Sequence, residues 1–184
     1  MLNGIFILAE LHGEAAAQIA EINSRFDRKL AGAKPPHVTI AGSSGVGPIP
    51  PSVGTEELER MLRPVTDRTA PLELEFGRPM RFMQSDIVVL PLNPHGRLRE
   101  LHDRVATCGL PFARARFSFT PHVTLSLYPR LADETARELM AVQIEGSCVI
   151  DTLQCYHTRD PQPARKLLEL PLAGQGVPAP FGDF

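Results

Sequence analysis

"KPPHVTIAGSS", residues 34–44, and "FTPHVTLSLYP", residues 119–129, share the phrase Pro-His-Val-Thr, followed by Ile in the first and Leu in the second. The chain has 184 residues and only six histidines, so this reuse, nearly half a chain apart, prompts a search for an internal repeat. The flanking residues answer it. Before the first copy, "GIFILAEL" (4–11) is an apolar, β-forming run, and residues 14–30 place Ile19, Ile22, Phe26 and Leu30 on one helical face, with Gly32 as the expected stop. Before the second, "DIVVLPL" (86–92) reads as a strand, and Leu98, Leu101 and Val105 give the next helix its buried stripe. After the first copy come a Gly/Pro-rich loop (42–54), a helix capped at Thr55 and an alternating strand, "LELEF" (72–76). After the second come a helix over 132–142 with Asp133 as cap, a strand over 148–158 and the closing strand "KLLELPL" (166–172). Each half is therefore strand, helix, His-bearing strand, helix, strand. The reading is an α+β protein of two related lobes about a pseudo-two-fold axis, with residues 1–172 as one bilobal domain and 173–184 as a flexible tail.

On a strand, positions i and i+2 lie about 6.5–7 Å apart on the same face. His37 and Thr39 thus point one way while Val38 and Ile40 anchor the strand to a core; His122 and Thr124 repeat this, with Val123 and Leu125 opposite. Pseudo-symmetry brings the two polar faces to one cleft. Two imidazoles and two hydroxyls around a small volume suit phosphoryl transfer: one neutral imidazole takes a proton, a protonated one donates to the leaving oxygen, and the threonines donate to phosphate oxygens. One such motif alone is more often structural, but two in matching places favour chemistry. No third ligand stands at helical or strand spacing from the histidines, so a metal site ranks below the metal-free reading, and no cofactor is expected.

Composition narrows the rest. A formal net charge of −2 gives no general attraction to nucleic acid or anionic membrane, so a polyanionic substrate needs a local basic patch. Three cysteines without CxxC spacing speak against a disulfide framework or a zinc knuckle. No apolar run approaches the roughly 20 residues of a membrane span, and no secretory signal is evident, so the expectation is a cytoplasmic, membrane-free protein without an obligate protein partner. "GSSGVG" lacks the GK[ST] ending of a phosphate loop but can form a rim of the cleft. No lysine begins a Lys-x-Asp-Gly sequence, which argues against an ATP-dependent lysyl-nucleotide ligase.

Further candidates follow from counting by two along the second motif strand. This places Tyr128 and Arg130 on the face of His122, to stack a base or ribose and to pair with phosphate. Arg114 and Arg116 alternate with Phe112 and Phe117, an arrangement an exposed loop explains more cheaply than RNA contact. His157 on the last long strand is a possible third imidazole, against the simpler reading of a strand-end residue. His12, His95 and His102 receive no role.

The paired His-x-Thr strands within a duplicated α+β unit resemble the 2H phosphoesterase superfamily, in particular its 2′-5′ RNA ligase-like and RNA 2′,3′-cyclic phosphodiesterase branch. The resemblance spans "GIFILAEL" to "KLLELPL". It implies lobes of antiparallel sheet with helices outside and a central cleft, His37 and His122 as the catalytic pair, and Thr39 and Thr124 as phosphate-holding groups. It also implies hydrolysis of a 2′,3′-cyclic phosphate or related ribose phosphodiester, with an RNA cyclic-phosphate end or a small cyclic nucleotide as partner. The alternatives are 2′-5′ RNA ligation through the same site and a non-catalytic RNA or nucleotide binder. RNA-ligase-like members usually continue the first motif with Phe-Leu-Gly, where this chain has "AGSSGVGPIP".

Overall fold

A computed structural model describes residues 3–82, 85–159 and 163–175. In chain order the elements are β1 (Asn3–Glu10), α1 (Glu14–Phe26), α2 (Arg28–Ala33), β2 (His37–Ala41), α3 (Thr55–Thr66), β3 (Leu72–Glu73), β4 (Met80–Arg81) and β5 (Val88–Pro91). They continue with α4 (Gly96–Ala106), β6 (His122–Ser126), α5 (Asp133–Met140), β7 (Val149–Ile150), β8 (Thr152–Arg159) and β9 (Arg165–Pro171).

The helix expected over residues 14–30 is broken. Asp27 leaves helical geometry at φ −148°, ψ 78°, and its side chain accepts the Leu30 N–H to cap α2. Helix α2 runs one residue past Gly32 before Lys34 turns extended ahead of Pro35 and Pro36, which lack the N–H a helix needs. The caps of α3 and α5 are Gly54 and Ala132, one residue before the expected Thr55 and Asp133. The run "LELEF" keeps regular pairing only at Leu72–Glu73, after which the Leu74 N–H still donates to the Cys148 carbonyl. Residues 148–158 divide at Asp151 into β7 and β8, which belong to different sheets. The tail begins bound: the Ala173 and Gly174 N–H groups donate to the Thr66 and Thr69 carbonyls at the end of α3. Its last residues, 176–184, lie outside the described residues.

Seven strands form an antiparallel sheet in the order β4-β5-β6-β2-β1-β8-β9, and β3 pairs with β7 in a second, two-stranded sheet. The two motif strands are neighbours at the middle of the large sheet, joined at Val38 and Val123. The halves match about this point. Strand β1 pairs β2 with a register shift between Ile7 and Leu8, and β5 pairs β6 with the corresponding shift between Val88 and Val89. Val38, Ile40, Val123 and Leu125 are wholly buried under the helices. The helices cross over: α1 of the first half packs against β6 of the second, and α4 of the second packs against β2 of the first. Their apolar stripes, Ala15, Ala16 and Ile19 on α1 and Leu98, Leu101 and Val105 on α4, supply the burial that fixes them there.

Candidate active site

Both motif strands show the same alternation, with His and Thr half-buried and the residues between them buried. Because Val38 faces Val123 in antiparallel register, His37 falls opposite Thr124 and Thr39 opposite His122. Directly opposed residues share a face, so the four side chains form a compact quartet on the side of the sheet away from α1 and α4. All four line one cavity of about 790 Å³.

The two imidazoles are fixed in the same way. His37 Nδ1 lies 2.7 Å from the Pro35 carbonyl oxygen, and His122 Nδ1 lies 2.8 Å from that of Thr120, in each case the residue two before. A carbonyl only accepts, so Nδ1 carries the proton in both rings and Nε2 is left for the cavity. Burial pushes His37 down from its ordinary value to about 4; the Pro35 bond pulls it back, while Lys34 and His122 lower it further and Glu10 opposes them. Burial also lowers His122, against the bond to Thr120. Phe82 covers the His122 ring at 4.7 Å between centroids.

The strands are held by buried polar groups from the crossed helices. Asn23 of α1 donates through Nδ2 to the carbonyls of Thr124 (3.1 Å) and Leu125 (2.8 Å). His102 of α4 donates through Nδ1 to the Ile40 carbonyl at 2.6 Å, the corresponding place in the other half, and stacks on Phe119. Asp27 adds a third tie, accepting the Leu127 and Tyr128 N–H groups at 2.7 and 2.9 Å on the carboxylate that also caps α2. The loop after the first motif is laced to the segment before the second. Gly45 N–H donates to the Phe117 carbonyl, Gly47 N–H to that of Ala113, and the Thr120 N–H to Ser44 Oγ. Gly45 has φ +73°, and a β-carbon there would sit 2.2 Å from the His102 ring, so this turn requires glycine.

A family model for the 2′-5′ RNA ligase superfamily matches residues 11–162. The chain belongs to that superfamily. No functionally curated protein matches the sequence. Among solved structures, the fold is similar to that of Escherichia coli LigT complexed with 3′-AMP, at 19% identity and TM-score 0.54 over 94% of this chain and 99% of that one. It is also similar to TT0787 of Thermus thermophilus, at 14% identity and TM-score 0.63 over 95% of this chain and 100% of that one. A protein described as a phosphoesterase matches at 18% identity and TM-score 0.56 over 95% of this chain and 100% of that one. These likenesses support the 2H phosphoesterase-like α+β architecture.

Within this superfamily frame, the sequence candidates separate. Tyr128 lines the cavity with the motif quartet, with the Lys29 ammonium 4.0 Å from its ring centroid. Arg130 is exposed and is not among the described lining residues. The count by two fails there because β6 ends at Ser126, which is itself wholly buried. Arg116 lines the cavity and Arg114 does not, while Ser43 and Ser44 from "GSSGVG" do. His157 instead donates through Nε2 to Asn3 Oδ1 at the far end of β1. Phe117 lines it beside Arg116, and lining residues given no role from the sequence include Lys34, Met80 and Phe82. No three His, Cys, Asp or Glu side chains gather in a metal-ligating group among the described residues, and none of the described helices is long and apolar enough to cross a membrane.

Proposed function

We propose that the protein is a metal-independent phosphodiesterase that opens a 2′,3′-cyclic phosphate or a related ribose phosphodiester, with RNA ends as its source. The observation that carries this reading is the paired motif: two imidazoles, each Nδ1 held by a carbonyl, across one cavity about the Val38 and Val123 pair. LigT has been crystallised with 3′-AMP and with phosphate, and a nucleoside monophosphate is the product class such a reaction yields.

His37, the more strongly acid-shifted imidazole, is neutral and serves as base; His122 serves as acid. A water oxygen attacks phosphorus and forms a P–O bond as its proton passes to His37 Nε2. The bond from phosphorus to one ribose oxygen breaks, and that oxygen receives the proton from His122 Nε2. The product is a ribose 2′- or 3′-monophosphate, and the two imidazoles end with their protonation states exchanged. Thr39 and Thr124 donate hydroxyl hydrogens to the non-bridging oxygens as charge builds on them. Ligation of RNA ends, the activity in the superfamily's name, is the same exchange with a ribose hydroxyl in place of water.

The deciding experiment offers the purified protein 2′,3′-cyclic mononucleotides and RNA with a cyclic end, in EDTA, with product positions read by phosphorus NMR. Hydrolysis that persists in chelator is expected. Loss of hydrolysis in chelator with recovery on zinc would overturn the metal-free mechanism, and binding without turnover between pH 5 and 9 would overturn the enzyme reading.

A further inference from the structure

The chain carries a formal net charge of −2, yet among the described residues that line the cavity two are cationic, Lys34 and Arg116, and none is acidic. The cations come from opposite halves, Lys34 just before the first motif and Arg116 just before the second. Both stand on fixed backbone. Lys34 closes α2 through its N–H on the Leu30 carbonyl, and Pro35 and Pro36 follow it. Arg116 lies inside the segment tied to the glycine loop at Ala113, Phe117 and Thr120. Ser43, Ser44, Ser118 and Thr120 add hydroxyls to the lining. The volume of about 790 Å³ falls in the upper part of the roughly 300–1,000 Å³ span of small-molecule sites.

A cyclic phosphodiester brings a single negative charge to the histidines. Thr39 and Thr124 are placed to serve that charge, whereas a terminal phosphate monoester carries about −1.5 to −2 at neutral pH and several strong acceptor oxygens, which lining cations from both halves suit. We infer that Lys34 and Arg116 form a second anion subsite in the same cavity, which selects substrates bearing a phosphate monoester in addition to the phosphodiester that reacts. The inference rests on the proposed function only for the position of the reacting phosphorus. Its simplest substrate class is a 5′-phosphorylated nucleoside 2′,3′-cyclic phosphate.

The test compares the full chain with its Lys34→Ala, Arg116→Ala and doubly substituted variants, each checked for native far-UV circular dichroism. The substrates are adenosine 2′,3′-cyclic phosphate with and without a 5′-phosphate. The expected result is that the 5′-phosphate raises kcat/KM of the unaltered protein about 10- to 100-fold, that each substitution shrinks this ratio, and that the double substitution brings it near one. Arg116→Lys should keep part of the ratio. A ratio near one in the unaltered protein overturns the subsite. So does an equal loss on both substrates that leaves the ratio unchanged, because the cations would then serve the reacting phosphate.

A parallel calorimetric comparison of adenosine 3′,5′-bisphosphate with 3′-AMP reads the same preference without turnover. A bisphosphate preference of at least about tenfold that the double substitution abolishes supports the subsite even if no cyclic phosphate is hydrolysed, in which case the functional proposal alone falls. Turnover with no bisphosphate preference overturns the subsite alone.

Discussion

His37 and His122 occupy equivalent positions but differ in acidity, and the difference is testable. In the unliganded protein both imidazoles are shifted below their ordinary value, His37 to about 4, so both are neutral at pH 7. Acid–base catalysis needs His122 charged while His37 is neutral, a state populated between their two values. Hence kcat/KM, which reports the free protein, should peak on the acid side of neutrality and fall about tenfold per pH unit above the His122 value. A bound phosphate anion favours the imidazolium, so the descending limb of kcat should lie at higher pH than that of kcat/KM. Steady-state profiles from pH 4 to 9 check both statements. His37→Ala and His122→Ala should each cost about 10²–10⁴ in rate on a cyclic nucleotide. On a p-nitrophenyl phosphodiester, whose leaving group needs no proton, His122→Ala should recover most of its loss and His37→Ala should not. The motif residues were legible in sequence because a two-residue period and a repeated phrase determine where they point. Beyond Ser126, where the strand ends, the two-residue period no longer dictates direction: Tyr128 still lines the cavity, and Arg130 is not among the described lining residues. Phe82, Lys34 and Arg116 come to the cavity from outside the regular strands and helices, which no periodicity describes.

At the level of elements, the motif strands depend on polar side chains buried in otherwise apolar helix faces. Asn23 follows Ile19 and Ile22 on the stripe of α1, and His102 lies between Leu101 and Val105 on that of α4. A polar residue on an apolar stripe is the sequence signal for such a tie, and apolar periodicity alone does not register it. Asp27 was hidden in a run that reads as continuous helix. Asn23→Ala leaves the Leu125 carbonyl buried without its donor, so a loss of about 1–3 kcal/mol is expected in urea unfolding. Asp27→Asn places an amide where three backbone N–H groups converge on a carboxylate. It should cost about 2–3 kcal/mol and raise KM more than it lowers kcat, because Leu127 and Tyr128 form cavity wall. Gly45→Ala combines a positive φ with a clash against His102, and should lower the unfolding midpoint by more than an exposed loop substitution would.

Across the whole molecule, the duplication read from sequence predicts two related lobes facing one cleft, but neither the joining of the motif strands in one continuous sheet nor the exchange of helices. The strands and helices repeat in order, whereas the choice of α1 to cover β6 and α4 to cover β2 is made by packing between distant parts of the chain. Neither half closes its own core, and β3 and β7, one from each half, complete a shared small sheet. The intact chain should therefore unfold in a single cooperative step, while a fragment ending at residue 84 should show no cooperative melt by circular dichroism. A stable, cooperatively folding fragment would contradict the crossed arrangement.

The near-twofold register at Val38 and Val123 has a bearing on direction. By placement alone, a phosphorus atom on that axis meets the same pair of groups if it is turned end for end, so only their difference in acidity tells the two imidazoles apart. Orientation must then be imposed from the periphery, where the halves cease to match: the proposed anion subsite at Lys34 and Arg116, and the Phe82 ring over the His122 imidazole. In the proposed reaction, which ester bond opens would be set by these flanks, and exchanging their character should reverse the regiochemistry while leaving the reacting centre intact.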